Sequence, residues 1–224
     1  MRRYVESCIA LPSSRRITTV VDEIIRNPPL HARFVNTLAR MEYVGVRKLL
    51  KSRRADRLDL HGLQHMLDEN VHALRLKKAA TAIAAAAGTR VHTFSDDDTL
   101  SGDAGEAYLQ ALDHAAEVAL SDLPSGDKRS EANYLLTTAA IEVRAQVFYP
   151  AYDTLLVAHG TGFSVAAITK DEDRHLAEMA QGLAQAFGAG NWRARFEPLL
   201  VVEEKLFGEF LDQVEATVAR LRAA

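Results

Sequence analysis

Leu67-Asp68-Glu69-Asn70-Val71-His72 returns about a hundred residues later as Lys170-Asp171-Glu172-Asp173-Arg174-His175. On a helix, positions i and i+3 share a face, so each Glu-x-x-His aims one carboxylate and one imidazole at the same point in space. Two such pairs can build one metal site. With 15 Glu, 15 Asp and 8 His among 224 residues, independent placement predicts about half an E-x-x-H but only about 0.04 of a D-E-x-x-H. Finding the longer form twice marks it as a motif.

Both copies sit in helical surroundings. Around the first, Asp59 is a candidate N-cap, and the Ala-rich run from Ala79 to Ala87 favours helix until Gly88. Around the second, Ser164 to Phe187 reads as one helix ending at Gly188-Ala189-Gly190. A helix precedes each. Leu30 to about Arg54 carries Phe34, Val35, Leu38, Met41, Val44 and Leu49 at helical spacing, with Glu42 in its middle. From about Ser130, Leu135, Ala139 and Val143 form a stripe with Glu142; that helix passes Pro150, where a kink is predicted, and breaks at His159-Gly160-Thr161-Gly162. Antiparallel helices bring residues equidistant from their turn to equal height. Glu42 and Glu69 have their midpoint near residue 55, in the polar turn Ser52 to Arg57; Glu142 and Glu172 have theirs at 157, just before the second break. The set becomes Glu42, Glu69-x-x-His72, Glu142, Glu172-x-x-His175.

The rest of the chain frames these four helices. Residues 1–29 read as a lead-in with one helix over Thr18 to Arg26 and a break at Pro28-Pro29. Residues 88–130 hold turn signals around one amphipathic helix, Ala104 to Leu120, and form a long crossover. A last helix runs from about Phe196 to Arg222. The predicted architecture is all-α and a single domain: the lead-in, a four-helix metal-binding bundle over 30–187, and a C-terminal helix over 191–224.

Composition narrows the function classes. A formal charge of -3 and 25% charged residues lack the basic excess of a dedicated nucleic-acid binder. The chain has no apolar run of about 18 residues and no signal-peptide pattern after Met1-Arg2-Arg3, so neither membrane insertion nor secretion is expected. Cys8 is the one cysteine, which excludes an internal disulfide, a cysteine zinc site and a rubredoxin-type pair. A cytoplasmic location is the expectation.

A Glu from each of two helices plus Glu-x-x-His from each of the other two is the ligand set of di-iron and di-manganese carboxylate bundles. Over roughly 60% of its length the chain resembles the ferritin-like di-metal carboxylate superfamily, which implies an antiparallel four-helix bundle whose metal ligands are Glu42, Glu69, His72, Glu142, Glu172 and His175. The D-E-x-R-H form at Asp171 to His175 is similar to fatty-acyl desaturases, bacterial multicomponent monooxygenases and the ribonucleotide reductase small subunit. The first copy departs from it, with Val71 in place of Arg. Asp68 and Asp171 resemble the residues that hold the free ring nitrogen of the ligating His on the partner helix. Four buried carboxylates need compensating charge, and two divalent cations with two His supply it; the oxygen-rich set suits iron or manganese. Two iron ions are the expected cofactor, with manganese as the alternative.

Around these six, several residues have two readings. His65, one turn before Glu69, is a core or rim histidine or a seventh ligand. Thr138 and Gln146, one turn either side of Glu142, line a pocket beside Ala139 and Ala145 or simply pack. Tyr43, Tyr134, Tyr149 and Tyr152 include candidates for a redox tyrosine, but Leu76, one turn after His72, is not oxidisable, which disfavours a radical-storing reductase subunit. Six of the eleven residues from Arg47 to Arg57 are basic, a solvated turn or a dock for an acidic partner. The resemblance implies an oxygen-dependent oxidase or monooxygenase; the alternatives are a di-manganese catalase or peroxidase and a non-enzymatic iron-binding protein. Dioxygen, a small-molecule or carrier-bound substrate and a separate reductase are the implied partners, and a homodimer is an open expectation.

Overall fold

Pro12 and the pair Pro28-Pro29 start helices. At the first position of a helix the missing N–H has no partner to lose, and a φ near −65° is already helical. In the computed structural model the N-terminal region therefore holds two helices, α1 (Arg2–Ile9) and α2 (Pro12–Ile25), and α3 (Pro28–Ser52) begins on the proline pair. This corrects the expected lead-in with a single helix at Thr18 to Arg26. Then follow α4 (Leu60–Ala86), α5 (Gly102–Ala119), α6 (Asp127–Ala158), α7 (Ala166–Phe187) and α8 (Arg193–Ala223). The structure describes residues 1–52, 56, 58–188 and 190–223. Arg53, Arg54 and Arg57 of the basic tip lie outside the described residues. Among the described residues there is no strand, and no helix is long and apolar enough to cross a membrane.

Side-chain pairings give the direction of each helix. Asn36 meets Lys77 and Gly45 meets Glu69, so α3 and α4 are antiparallel. Leu135 packs on Gly182, and Gln146 reaches Thr169, so α6 and α7 are antiparallel as well. His31 with Tyr152 and Lys48 with Asn133 set α3 against α6; His72 with Asp171 and Asp68 with Arg174 set α4 against α7. These four helices form a ring in which every neighbour runs the opposite way. In the α6–α7 hairpin the seven residues of the turn fold back, with Asp153 accepting from Ser164 Oγ and Val165 N. That fold-back brings Glu142 and Glu172 level. α6 continues through Pro150 as one helix.

The crossover from α4 to α6 is strapped to α3. Asn36 Nδ2 donates to the carbonyls of Thr93 and Asp98, both at 2.8 Å, and Thr37 Oγ1 donates to Leu100 O at 2.8 Å. α5 lies over α3, α6 and α8, and α2 packs on α6 and α8. A buried charge network joins these outer helices. Arg144 on α6 donates through Nε and Nη2 to both oxygens of Glu203 on α8, at 2.9 and 2.8 Å, and through Nη1 to Ser14 on α2. Tyr108 on α5 also donates to Glu203, at 2.8 Å. One apolar core runs through all eight helices, from Tyr4 to Val218.

Candidate metal centre

α4 faces the ring interior with its polar side. It buries His65, Asp68, Glu69 and His72 while Leu60, Leu63, Leu67 and Leu74 stand exposed. α7 adds Glu172 and His175, α3 adds Glu42 and α6 adds Glu142. The structure brings all of these together as two donor groups. His65, Glu69, Glu142 and His175 form one; Glu42, Glu69, His72 and Glu172 form the other; within each, the ligand atoms lie within 4.8 Å of one another. Glu69 belongs to both. Glu172 links them too, with Oε1 at 3.2 Å from His72 Nδ1 and Oε2 at 2.8 Å from His175 Nδ1. Both histidines are fully enclosed, and the most open members, Glu42 and Glu69, have side chains 10% exposed.

Each imidazole turns its other nitrogen to an aspartate of the facing helix. His72 Nε2 donates to Asp171 Oδ2 at 3.2 Å, and His175 Nε2 donates to Asp68 Oδ2 at 3.3 Å. Such a bond fixes the ring and leaves Nδ1 pointing into the cluster. Arg174 serves both aspartates, donating to Asp68 Oδ2 at 2.5 Å and Asp171 Oδ1 at 3.5 Å. Val71, the counterpart of Arg174 in the first copy, therefore leaves neither carboxylate without a cation.

His65 stands within the first group. Its Nε2 lies 3.3 Å from Glu69 and 3.6 Å from Glu142, its ring stacks on His175 with centroids 4.0 Å apart, and its Nδ1 lies 2.9 Å from Tyr134 Oη. Tyr149 donates to Glu42 Oε1. Tyr134 and Tyr149 sit two turns before and after Glu142 on α6, a spacing of seven or eight residues that returns to the same helix face; that spacing was the available signal for both. Tyr152 bonds His31, and Tyr43 is exposed against Phe94. Thr138 lines the cavity beside the cluster. Of its two readings Gln146 takes packing: it leans towards α7 and donates to Thr169 O at 2.9 Å.

Two observations test whether this donor set suits a metal pair. His72 Nδ1 is buried without a well-directed hydrogen bond, although Glu172 and Glu42 oxygens stand at 3.2 and 3.9 Å. It belongs to the donor group of Glu42, Glu69 and Glu172. On α3, a Cβ at Gly45 would come within 2.8 Å of Glu69 Oε2, so the helix leaves room for that carboxylate. Four carboxylates and three imidazoles in two groups are a donor set of a kind that can hold metal ions.

The electrostatics agree. Burial first, then the carboxylates of Glu69 and Glu172, push Glu42 well above the ordinary carboxylate value, and burial with Glu172 and Glu69 does the same to Glu142. Burial would lower His72, but Glu172, Glu42 and Glu69 outweigh it and raise its pKa to about 10. His175 is raised against burial by Glu172 and Glu69. Glu172, although buried, is held far below the usual range by the two imidazoles beside it. The raised proton affinities of Glu42, Glu142, His72 and His175 offset the negative charge of the cluster.

A cavity of about 650 Å³ adjoins the cluster; α3, α5, α6 and α8 wall it with Leu38, Ile141, Phe148 and Phe207 among their side chains, and Glu42, Glu142, Glu69 of α4 and Glu172 of α7 line its cluster end. Compared with known proteins, the chain matches no family model, no curated protein and no solved structure.

Proposed function

We propose that this chain is a ferritin-like di-metal carboxylate protein that holds two iron ions between α3, α4, α6 and α7 and acts as an oxygen-dependent oxidase or monooxygenase. The observation that carries this reading is the pair of interlocked donor groups sharing Glu69. Glu42, His72 and Glu172 would hold one ion, Glu142 and His175 the other, with Glu69 available to both and His65 to the second. Such a pair, when bound, supplies reduction of dioxygen. The protein's own residues position that chemistry. Asp171 and Asp68 orient the two imidazoles, Tyr149 restrains the outer oxygen of Glu42, and the packed helices keep bulk water from Glu172 and His175.

The adjoining cavity favours oxidation of an organic molecule over the two alternatives. Peroxide disproportionation and iron storage need only small-molecule access, whereas a mostly apolar space of this size is typical of sites for organic ligands. Electrons would come from the substrate or a separate reductase, because Cys8 is the one cysteine and is buried.

Anaerobic titration with Fe(II) tests the reading. Two ions per chain are expected, followed by dioxygen consumption on exposure to air. Replacing Asp171 with Ala is expected to weaken iron binding about 10- to 100-fold by freeing the His72 ring. Rapid peroxide disproportionation by the manganese-loaded protein would favour the catalase alternative. Absence of stoichiometric metal after reconstitution rules out every di-metal reading.

A further inference from the structure

Of the eleven large apolar side chains exposed among the described residues, six belong to the α3–α4 hairpin: Tyr43 and Leu50 on α3, and Leu60, Leu63, Leu67 and Leu74 on α4. Tyr43 stacks on Phe94, which the Lys77 ammonium of α4 covers, and Leu50 stands two turns along the same side of α3. Together with half-buried Val71, the α4 leucines follow one another in steps of three, four, four and three. The stripe therefore reads the same in both directions from Leu67. From Leu60 to Leu74 the exposed face carries no Asp, Glu, Lys or Arg: Asp68 and Glu69 are buried, and the other exposed positions are His61, Gln64 and Asn70. A solvated helix face in a chain with 25% charged residues normally carries charge. A charged partner would find nothing there to pair with.

We infer that this face is the seam with a second copy of the same chain, α4 lying antiparallel on its counterpart about a two-fold axis at Leu67. Such an axis lays Leu67 on Leu67, Leu60 level with Leu74 and Leu63 level with Val71, so apolar residues meet apolar residues along the whole seam. A parallel pairing would set the exposed Arg75 against itself, whereas the antiparallel one brings it level with Asp59, which is also exposed. At about 100 Å² each, the six exposed side chains offer roughly 600 Å² per copy, most of the about 800 Å² that each partner buries in a stable interface. The seam lies on the side of α4 opposite His65, Glu69 and His72, so it does not depend on what those residues hold.

Sedimentation velocity of the full chain at micromolar concentration tests the inference, with twice the mass of one chain expected. An apolar seam is expected to persist in about 0.5 M salt, which screens surface charge. Leu67→Arg sets two like charges on the axis and is expected to weaken the dimer about 100-fold or more; because Leu67 is 56% exposed, helix content and Tm are expected to stay unchanged. Val157→Arg, at an exposed apolar position on α6, is expected to leave the dimer intact. Cross-linking reads the orientation, since Cys8 is buried. On mild oxidation Leu67→Cys is expected to link to itself, and Leu60→Cys only to Leu74→Cys when the two variants are mixed. A single-chain mass, a larger assembly, a dimer lost in salt or one that survives Leu67→Arg overturns the inference. Self-linking of Leu60→Cys as readily as of Leu67→Cys overturns the antiparallel seam.

Discussion

Gly45 shows how a residue with no side chain serves the site. Alanine is the better helix former by about 1 kcal/mol, yet a Cβ here would stand 2.8 Å from Glu69 Oε2. Glu69 is the donor common to both groups, so moving it disturbs both. Gly45→Ala is expected to keep or raise apo stability while weakening iron binding by about tenfold or more, which thermal unfolding and metal titration on the same sample resolve. Protonation makes a second test. Glu42 and Glu142 are raised well above the usual carboxylate range, and His72 keeps its proton to about pH 10. Metals must displace these protons, so affinity should rise with pH and binding should release protons. Calorimetry in buffers of different ionisation enthalpy reads that release directly, and a pH-independent affinity would contradict the assignment.

At the level of elements, α4 is built inside out. Leu60, Leu63, Leu67 and Leu74 recur at helical spacing and by periodicity alone would mark the buried face, but they are exposed, and the buried side carries two histidines, Asp68 and Glu69. Desolvating that polar face is tolerable only because α7 supplies matching aspartate, arginine and glutamate. The outer helices depend on charge in a different way, through Arg144 and Glu203. Removing one partner of a buried ion pair leaves the other uncompensated, so Glu203→Ala is expected to cost about 3–5 kcal/mol by urea unfolding, and Arg144→Met combined with Glu203→Leu considerably less. His31 links α3 to α6 through Tyr152. Burial, aided by His159, lowers its pKa to about 4, whereas in the unfolded chain it titrates near 6.5. The unfolded state therefore binds the extra proton, and stability present above pH 6.5 is lost as pH falls towards 4. His31→Gln is expected to remove about 2 kcal/mol of the wild-type difference between pH 7 and pH 5.

Over the whole molecule, four helices converge on one cluster, so the proposed metal binding would be linked to folding of the entire ring. At metal concentrations about 100-fold above Kd, linkage adds about 2.7 kcal/mol, equivalent to about 5–10 °C in Tm for a chain of this size. Scanning calorimetry before and after chelation checks it; an unchanged Tm would place the metal outside the ring. The helical class and the convergence of these six side chains were legible in the sequence because helical spacing is local: Glu-x-x-His repeats at i and i+3, and Glu42 and Glu142 follow from distance to a turn. The N-terminal helices were obscured because a proline starts a helix or ends one according to what precedes it. His65, Tyr134, Tyr149 and Gln146 were ambiguous for another reason. Each shares a helix face with a donor, but which neighbour a side chain meets depends on how far apart the helices stand and how they are rotated. The sequence by itself determined the helical class and which residues could hold a metal. Only the tertiary structure decided that Arg174 serves both aspartates, that α4 turns Leu60, Leu63, Leu67 and Leu74 outward and that a cavity adjoins the cluster, because these follow from the packing of segments remote in sequence.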